Sequence, residues 1–534
     1  MASPSHETQI RRRRNAVDIL AVAILAVIAG ALRFLQVSGK SFWFDEGVSV
    51  AIARLDWYNF ARLLWRREAN MSLYYLLLRG WLHFGHGESY VRALSVVPAV
   101  ATIPVMYFLG RALFDRRVGL IATALLAVNA FHVAYSQEAR SYTWFVLLAT
   151  LSVLYFVRSI QDPSPLNRRL HIAASVLAVY AHFFAVLLIV TEWLSLYIYE
   201  RRDVLPRLRN NWRWIAGLAA PVLIFVAATG AGPLAWIPRP QFHDLYRLFV
   251  WLSGDGGWVL LLAYILSCLP VVIAGCSVLF RTLRNGGNSI ENASAHAGDS
   301  DRWPYRFLLL WLAFPLALVF LVSQLRPLFL DRYFLFLVPA LALIAAAGLA
   351  RLPSQWLTAL GTLLLVTLSL FGLDNYYQRD YDLEHEDWRS ATRYVLDHAQ
   401  AGDAILFHTG MGRMPYEYYR WDSPGPLVIF PHHDERITFR DFYGHPDDGF
   451  LNGVPSRYSR VWVVFSHNQL GLGQGADALT ARIKQEFGME YGQSEQAIFP
   501  GIEVRLYSEN GAVFRDRGRS PQDTPNSSIA NPAR

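Results

Sequence analysis

Charge, lysine and cysteine are all scarce in this chain. Only 17% of its 534 residues are charged, against 53% that are hydrophobic. The length alone would allow three or four soluble domains. Soluble domains carry about 25% charged residues, and here the mean hydropathy is +0.23. That balance belongs to a chain whose solvent is mostly lipid, because a hydrocarbon core excludes charge. Lys40 and Lys484 are the only lysines, so the net charge of +7 is carried by arginine. In a soluble protein a pI near 9.3 would raise nucleic acid as a partner. The arginines cluster between apolar runs, so topology accounts for them and no nucleic-acid partner is expected. Cys268 and Cys276 sit in or beside one apolar run, and neither a CxxC nor a Cys/His metal pattern occurs. No disulfide framework follows from that pattern, and no internal repeat stands out.

What is present is a series of about eleven apolar segments: 15–37, 90–110, 117–135, 141–158, 170–182, 183–199, 214–231, 257–280, 306–323, 331–350 and 355–373. Most approach the ~20 residues that cross ~30 Å of hydrocarbon. Arg11 to Arg14 precede the first segment, which is longer than a signal core and reads as a transmembrane helix. With residues 1–14 cytoplasmic, the cytoplasmic loops hold Arg111, Arg116, Arg117, Arg158, Arg168, Arg169, Arg201, Arg202, Arg207, Arg209 and Arg213, and, before the ninth segment, Arg281, Arg284, Arg302 and Arg306. The short opposite loops hold Arg140, Arg239, Arg247, Arg326 and Arg332. The asymmetry follows the positive-inside rule and predicts a plasma (inner) membrane protein with a cytoplasmic N-terminus. Residues 170–199 are one apolar run, too long for one straight span and short for two. Charge favours two short or re-entrant segments with a bend near Tyr180 to Phe184, next to His182.

The predicted fold is a polytopic α-helical membrane protein with a C-terminal soluble α/β domain. Residues 15–373 form the membrane domain, and its outer loop 38–89 carries interfacial helices in which Trp57, Phe60, Leu63 and Leu64 alternate with Arg62, Arg66 and Arg67. Residues 375–508 read as a periplasmic or extracellular α/β domain. Strands are expected at Ala404–Phe407, Pro426–Phe430, Val461–Phe465 and Ile502–Tyr507, and helices at Glu386–Ala399 and Ala476–Phe487. The tail 509–534 is polar and reads as disordered.

Four polar constellations share the outer side. Asp45-Glu46 follows the first span, flanked by Trp43 and Phe44. Two adjacent acids there are either a helix N-terminus compensating the dipole or a general base for an attacking hydroxyl. Neighbours on a helix diverge by ~100°, so one acid at most faces a cavity. Glu138 and Arg140 stand in the short loop Tyr135–Tyr142, as an interfacial ion pair or as an acceptor or metal ligand beside a phosphate-binding fork. Arg326-Pro327 and Asp331-Arg332-Tyr333 open the tenth span, where an arginine either snorkels to headgroups or turns inward as a second phosphate clamp. His182 is a packing residue or a functional intramembrane group.

In order and spacing this set resembles the GT-C glycosyltransferases. It comprises the acidic pair, Leu73-Tyr74-Tyr75-Leu76, Ser136-Gln137-Glu138-Ala139-Arg140-Ser141-Tyr142, Tyr180-Ala181-His182 and Arg332-Tyr333. The likeness is to the family-39/83 type, relatives of protein O-mannosyltransferases, aminoarabinose transferases and the rhizobial galacturonosyltransferase-like domain, and covers about residues 15–350. It implies inverting transfer of a sugar from a polyprenyl-phosphate donor to an acceptor glycan, lipid or protein hydroxyl at the outer membrane face. Asp45 would be the catalytic acid with Glu46 its partner. Arg140, Arg332, Tyr142 and Tyr333 would bind the donor phosphate, Glu138 and His182 a metal or the acceptor, and Tyr74 and Tyr75 would line the cavity. A divalent metal is the cofactor of some members. The single acid in the second loop weakens that expectation, and Asn70-Met71-Ser72 stands where many relatives carry His-Pro-Pro. A multi-pass transporter or flippase for a lipid-linked or anionic substrate is the rival reading, but paired repeats and helices broken by Gly or Pro in two matching halves are not evident.

Overall fold

A computed structural model of the chain describes residues 6–198, 204–229, 237–284, 302–379, 385–431, 446, 448–467 and 477–509. The first of two units runs to Arg389 and the second begins at Ser390.

Among its described residues the first unit has helices and no strand. Its elements are α1 (His6–Phe34), α2 (Phe44–Arg54), α3 (Trp57–Leu63), α4 (Ser72–Trp81), α5 (Glu88–Leu113), α6 (Arg116–Ala127), α7 (Ala130–Ser136), α8 (Tyr142–Gln161), α9 (Pro165–Ala181), α10 (Ala185–Ile198), α11 (Leu205–Thr229), α12 (Phe242–Ser253), α13 (Gly257–Arg284), α14 (Trp303–Ser323), α15 (Val338–Leu349) and α16 (Gln355–Gln378). Short π and 3₁₀ turns join α3 to α4, and a 3₁₀ turn, Asp331–Leu337, leads into α15.

Each of the eleven expected segments coincides with a helix, but the count of full crossings is lower. Among the described residues, eight helices are long and apolar enough to span a membrane, nine if the bent pair α6–α7 is one span. The expected pair at 170–199 is α9 and α10, of 17 and 14 residues. At 1.5 Å per residue these cover roughly 26 Å and 21 Å, short of ~30 Å. They meet at His182–Phe184, where His182 leaves the helix in extended conformation.

The 57° bend between α6 and α7 has a local cause. Asn129 caps α7 by accepting the His132 N–H (2.9 Å). The last carbonyls of α6 would otherwise be orphaned in a dry interior. They accept from the fully buried Arg33 guanidinium, at 3.0 Å for Ala127 and 3.3 Å for Leu126. Arg33 also meets His132 Nδ1 at 2.8 Å, which requires that nitrogen to be the unprotonated one. Neighbouring helices approach through small residues: a Cβ on Gly119 would stand 2.7 Å from the Tyr107 carbonyl oxygen of α5.

The second unit contains a five-stranded sheet in the order β2-β1-β3-β5-β4, with β1 (Ala404–His408), β2 (Leu427–Phe430), β3 (Arg460–Ser466), β4 (Gly492–Phe499) and β5 (Ile502–Glu509). The first three strands are parallel, and β5 runs antiparallel to both β3 and β4. Parallel neighbours bury both faces, which is why Ala404–His408 is buried at every position. The four expected strands are all present. β4 was not expected: Gly492–Phe499 is exposed along most of its length and pairs only with β5, so it lacks a buried alternating face.

Candidate active site

The site is built where one end of the helical bundle gathers α2, the α7–α8 loop, the α9–α10 break and the turn before α15. Between α1 and α2 the chain is held by Arg92 of α5, which donates to the carbonyls of Val37 (2.7 Å), Lys40 (2.9 Å) and Ser41 (3.0 Å). The first N–H of α2, on Phe44, donates to a carboxylate oxygen of Glu386 (2.9 Å).

The two acids of the pair then part company, as the helical rotation requires. Glu46 is fully buried. One carboxylate oxygen accepts from Arg92 Nε (2.8 Å) and the Ala139 N–H (2.7 Å), and the other from Arg92 Nη2 (2.6 Å) and the Trp43 N–H (3.3 Å). It is at once a cap for α2 and the anchor of the second loop. Burial raises its carboxyl above the usual carboxylate range, and Arg92 opposes that shift. Asp45 keeps a quarter of its side chain exposed and lies 3.4 Å from Arg140 Nη2 and 4.0 Å from Arg332 Nη2.

The α7–α8 loop is fixed from several sides. Gln137 donates to the Arg33 carbonyl (3.0 Å) and accepts from Tyr376 (2.9 Å). The Arg140 carbonyl accepts from Ser95 (3.0 Å), and the Arg140 guanidinium also donates to Ser49 Oγ (3.0 Å). Burial works against the charge on Arg140, but Asp45 and neighbouring groups hold its pKa well above the ordinary value. Glu138 is buried, and its Oε2 has no hydrogen-bond partner among the described residues. Its Oε1 lies 3.6 Å from His385 Nε2, and the His385 ring packs on Trp43 (5.3 Å).

His182, fully buried, occupies the break between α9 and α10. Its Nδ1 accepts the Phe184 N–H (3.3 Å), which puts the proton on Nε2, and Nε2 has no partner among the described residues. The ring is sandwiched by Phe145 and Phe183 and lies 4.8 Å from the Tyr333 ring. Tyr142 is fully buried under the Arg140 guanidinium (5.8 Å), and its hydroxyl is also unpartnered. Native interiors pair nearly all buried polar atoms. Glu138 Oε2, Ser141 Oγ, Tyr142 Oη and His182 Nε2 left open around two arginines mark a place built for a polar ligand.

The structure thus brings Asp45, Glu138, Arg140, Tyr142, His182, Arg332 and Tyr333 to one end of the bundle. Arg326 is instead exposed at the end of α14. Tyr74 and Tyr75 are buried on α4. Tyr75 leads to a residue that sequence reading missed, Glu68, which accepts its hydroxyl (3.1 Å). Burial raises the Glu68 carboxyl above its usual range, with Arg140 opposing. An acid standing between Arg67 and the apolar run of α4 was the available signal. For a metal, Glu138 and His385 are the nearest pair of donors, and among the described residues no group of three or more His, Cys, Asp or Glu side chains could hold one. That donor set does not fit a closed metal site.

Residues 72–229 match the family described as dolichyl-phosphate-mannose-protein mannosyltransferase. No curated protein matches the sequence. Among solved structures, ArnT from Cupriavidus metallidurans in the apo state is similar with a TM-score of 0.55 at 12% identity, over 92% of this chain and 98% of that one. The same protein bound to undecaprenyl phosphate gives 0.51 at 13% identity, over 91% and 97%. At such identities the likeness shows the fold. This chain is therefore a multi-pass membrane protein with the fold of ArnT, in which residues 72–229 match a mannosyltransferase family.

Proposed function

We propose that the chain transfers a sugar from a polyprenyl-phosphate donor to an acceptor hydroxyl, with inversion, at the outer face of the membrane. The observation that carries this reading is the contact of Asp45 with both Arg140 and Arg332 beside unpartnered buried donors. The undecaprenyl phosphate seen in ArnT supports a lipid phosphate as the group those arginines receive.

Without donor, the two guanidinium groups lean on the Asp45 carboxylate. A phosphate entering the site takes their hydrogen bonds through its own oxygens, since planar guanidinium matches phosphate geometry. Asp45 is then released to accept a proton from the acceptor hydroxyl. The acceptor oxygen forms its bond to the anomeric carbon as the bond from that carbon to the phosphate oxygen breaks on the opposite face. The electron pair leaves with the lipid phosphate, whose charge Arg140 and Arg332 stabilise, aided by the hydroxyls of Tyr142 and Tyr333 and by the His182 Nε2–H. Glu46 acts through position: its bonds to Arg92 and Ala139 N–H hold the Asp45 turn against the Arg140 loop. Glu138, with its open oxygen, orients the acceptor.

Asp45→Asn keeps the volume and removes the base. Transfer from a polyprenyl-phosphate sugar by the purified chain should fall about 10²–10⁴-fold, with the thermal midpoint unchanged. An Asn variant with wild-type turnover would sink this assignment.

A further inference from the structure

At the opposite end of the bundle, between α10 and α11, lies a groove of about 480 Å³. Contacts along α9 place it there: His171, near the start of α9, meets Glu192 of α10 and Asn211 of α11, whereas Tyr180, two residues before His182, reaches the Leu218 carbonyl further along α11. The groove falls in the size range of small-ligand sites. Its walls are Trp193 of α10 and Leu205, Trp212 and Ala216 of α11, and Arg209 and Arg213 also line it.

The spacing in α11 explains the arrangement. Arg209, Trp212, Arg213 and Ala216 recur at i, i+3, i+4 and i+7, which puts them on one helical stripe. Leu208, Asn211, Ile215 and Ala219 form the buried stripe behind it. Two guanidinium groups four residues apart repel each other unless a counter-charge sits between them. At the same end Arg116 has such a partner in Asp18 (2.7 Å). Among the described residues, Arg209 and Arg213 have neither an ion pair nor a hydrogen bond, and the Trp212 Nε1–H, though buried, has no acceptor.

The groove is also held open in advance. Glu192, next to Trp193, and Asn211, next to Trp212, turn inward to a shared buried histidine. His171 Nε2 meets Glu192 Oε2 at 2.9 Å, and Asn211 Nδ2 meets His171 Nδ1 at 3.2 Å. Ser152 of α8 donates to the other Glu192 oxygen (3.0 Å). This polar clamp fixes α10 and α11 relative to α9, so the spacing of the groove walls does not depend on an occupant.

We propose that this groove binds the headgroup of an anionic glycerophospholipid from the leaflet at the end of the bundle opposite the candidate active site. The phosphodiester supplies the missing counter-charge for Arg209 and Arg213, and an ester or phosphate oxygen accepts from Trp212. The indole of Trp193 with Leu205 and Ala216 covers the first part of the acyl chains. Basic pockets between transmembrane helices recognise anionic headgroups in this way. The assignment is independent of the sugar-transfer reading, because it uses no residue of that site.

Native mass spectrometry of the full chain in detergent, titrated with phosphatidylglycerol or phosphatidylcholine, tests it. Wild type should retain one phosphatidylglycerol per chain more tightly than the double variant Arg209→Gln/Arg213→Gln by about thirtyfold, a factor of about five for each arginine. Phosphatidylcholine should distinguish the two proteins far less. Trp212→Phe, which keeps the wall and removes the N–H, should weaken the same adduct severalfold and guards against misfolding of the double variant. Equal retention of phosphatidylglycerol by wild type and a folded double variant would overturn the proposal. So would equal retention of both lipids by wild type, or an inorganic phosphate adduct as tight as the lipid's.

Discussion

Among single residues, the adjacent acids show how helical rotation gives two neighbouring carboxylates different surroundings. Both a capping and a catalytic reading of Asp45-Glu46 were open in the sequence; Glu46 takes the capping place, and the catalytic one is proposed for Asp45. Glu46 caps α2 and ties down the Arg140 loop, while Asp45 keeps an exposed face beside two arginines. The pair Glu46–Arg92 is almost wholly buried, at 0% and 5% side-chain exposure. Breaking a buried pair leaves an uncompensated charge, so Arg92→Met should cost about 3–5 kcal/mol. The loss should appear as a lowered thermal midpoint of the purified chain. The double variant Glu46→Met/Arg92→Met should recover much of it. A single variant as stable as wild type would show that Glu46 had found another partner. Glu68 escaped the sequence reading because, next to Arg66 and Arg67, it passes for part of a solvated charge run, and only the fold sets it against Tyr75.

Individual helices were legible where burial is continuous and illegible where it is broken. The apolar runs located each helix that, among the described residues, is long and apolar enough to cross a membrane, but overstated the number of full crossings. The 57° bend between α6 and α7 was not legible: it depends on Arg33, 94 residues away from Ala127, supplying donors to the open carbonyls. Helix contact is equally non-local. A Cβ on Gly348 of α15 would come within 1.8 Å of the Ser267 carbonyl oxygen of α13. Backbone cannot yield as a side-chain tip does, so Gly348→Ala should destabilise by about 1–3 kcal/mol through overpacking. Thermal melts of the variant in detergent check this, and an unchanged midpoint would mean that α13 and α15 separate easily. In the second unit, β4 was missed for the opposite reason: as an exposed edge strand it has no buried stripe to betray it.

At the scale of the whole molecule, the helical unit is a bundle with a different chemistry at each end. One end gathers open donors around Asp45, and the other carries the surplus of arginine. The positive-inside rule then predicts that the 162–164 turn faces the cytoplasm and Lys40 the outside. After replacement of Cys268 and Cys276, a single cysteine at Ser164 should react with a membrane-impermeant maleimide only in opened cells, and one at Lys40 in intact cells. The reverse pattern would invert the topology and move the sugar transfer to the inner face.

Composition and hydropathy by themselves determined that this is a multi-pass membrane protein, because lipid tolerates so few charges that the spans are written almost in plain residue counts. The ordered polar constellations supplied the resemblance on which the proposed chemistry rests. What tertiary structure alone decided is which acid of the pair is buried and which keeps an exposed face. Glu46 and Asp45 are equivalent in sequence, and they differ only because Arg92 and Ala139 N–H lie on one side of α2 and Arg140 and Arg332 on the other. Hydrogen-bond partners drawn from distant helices are the physical reason that choice could not be read along the chain.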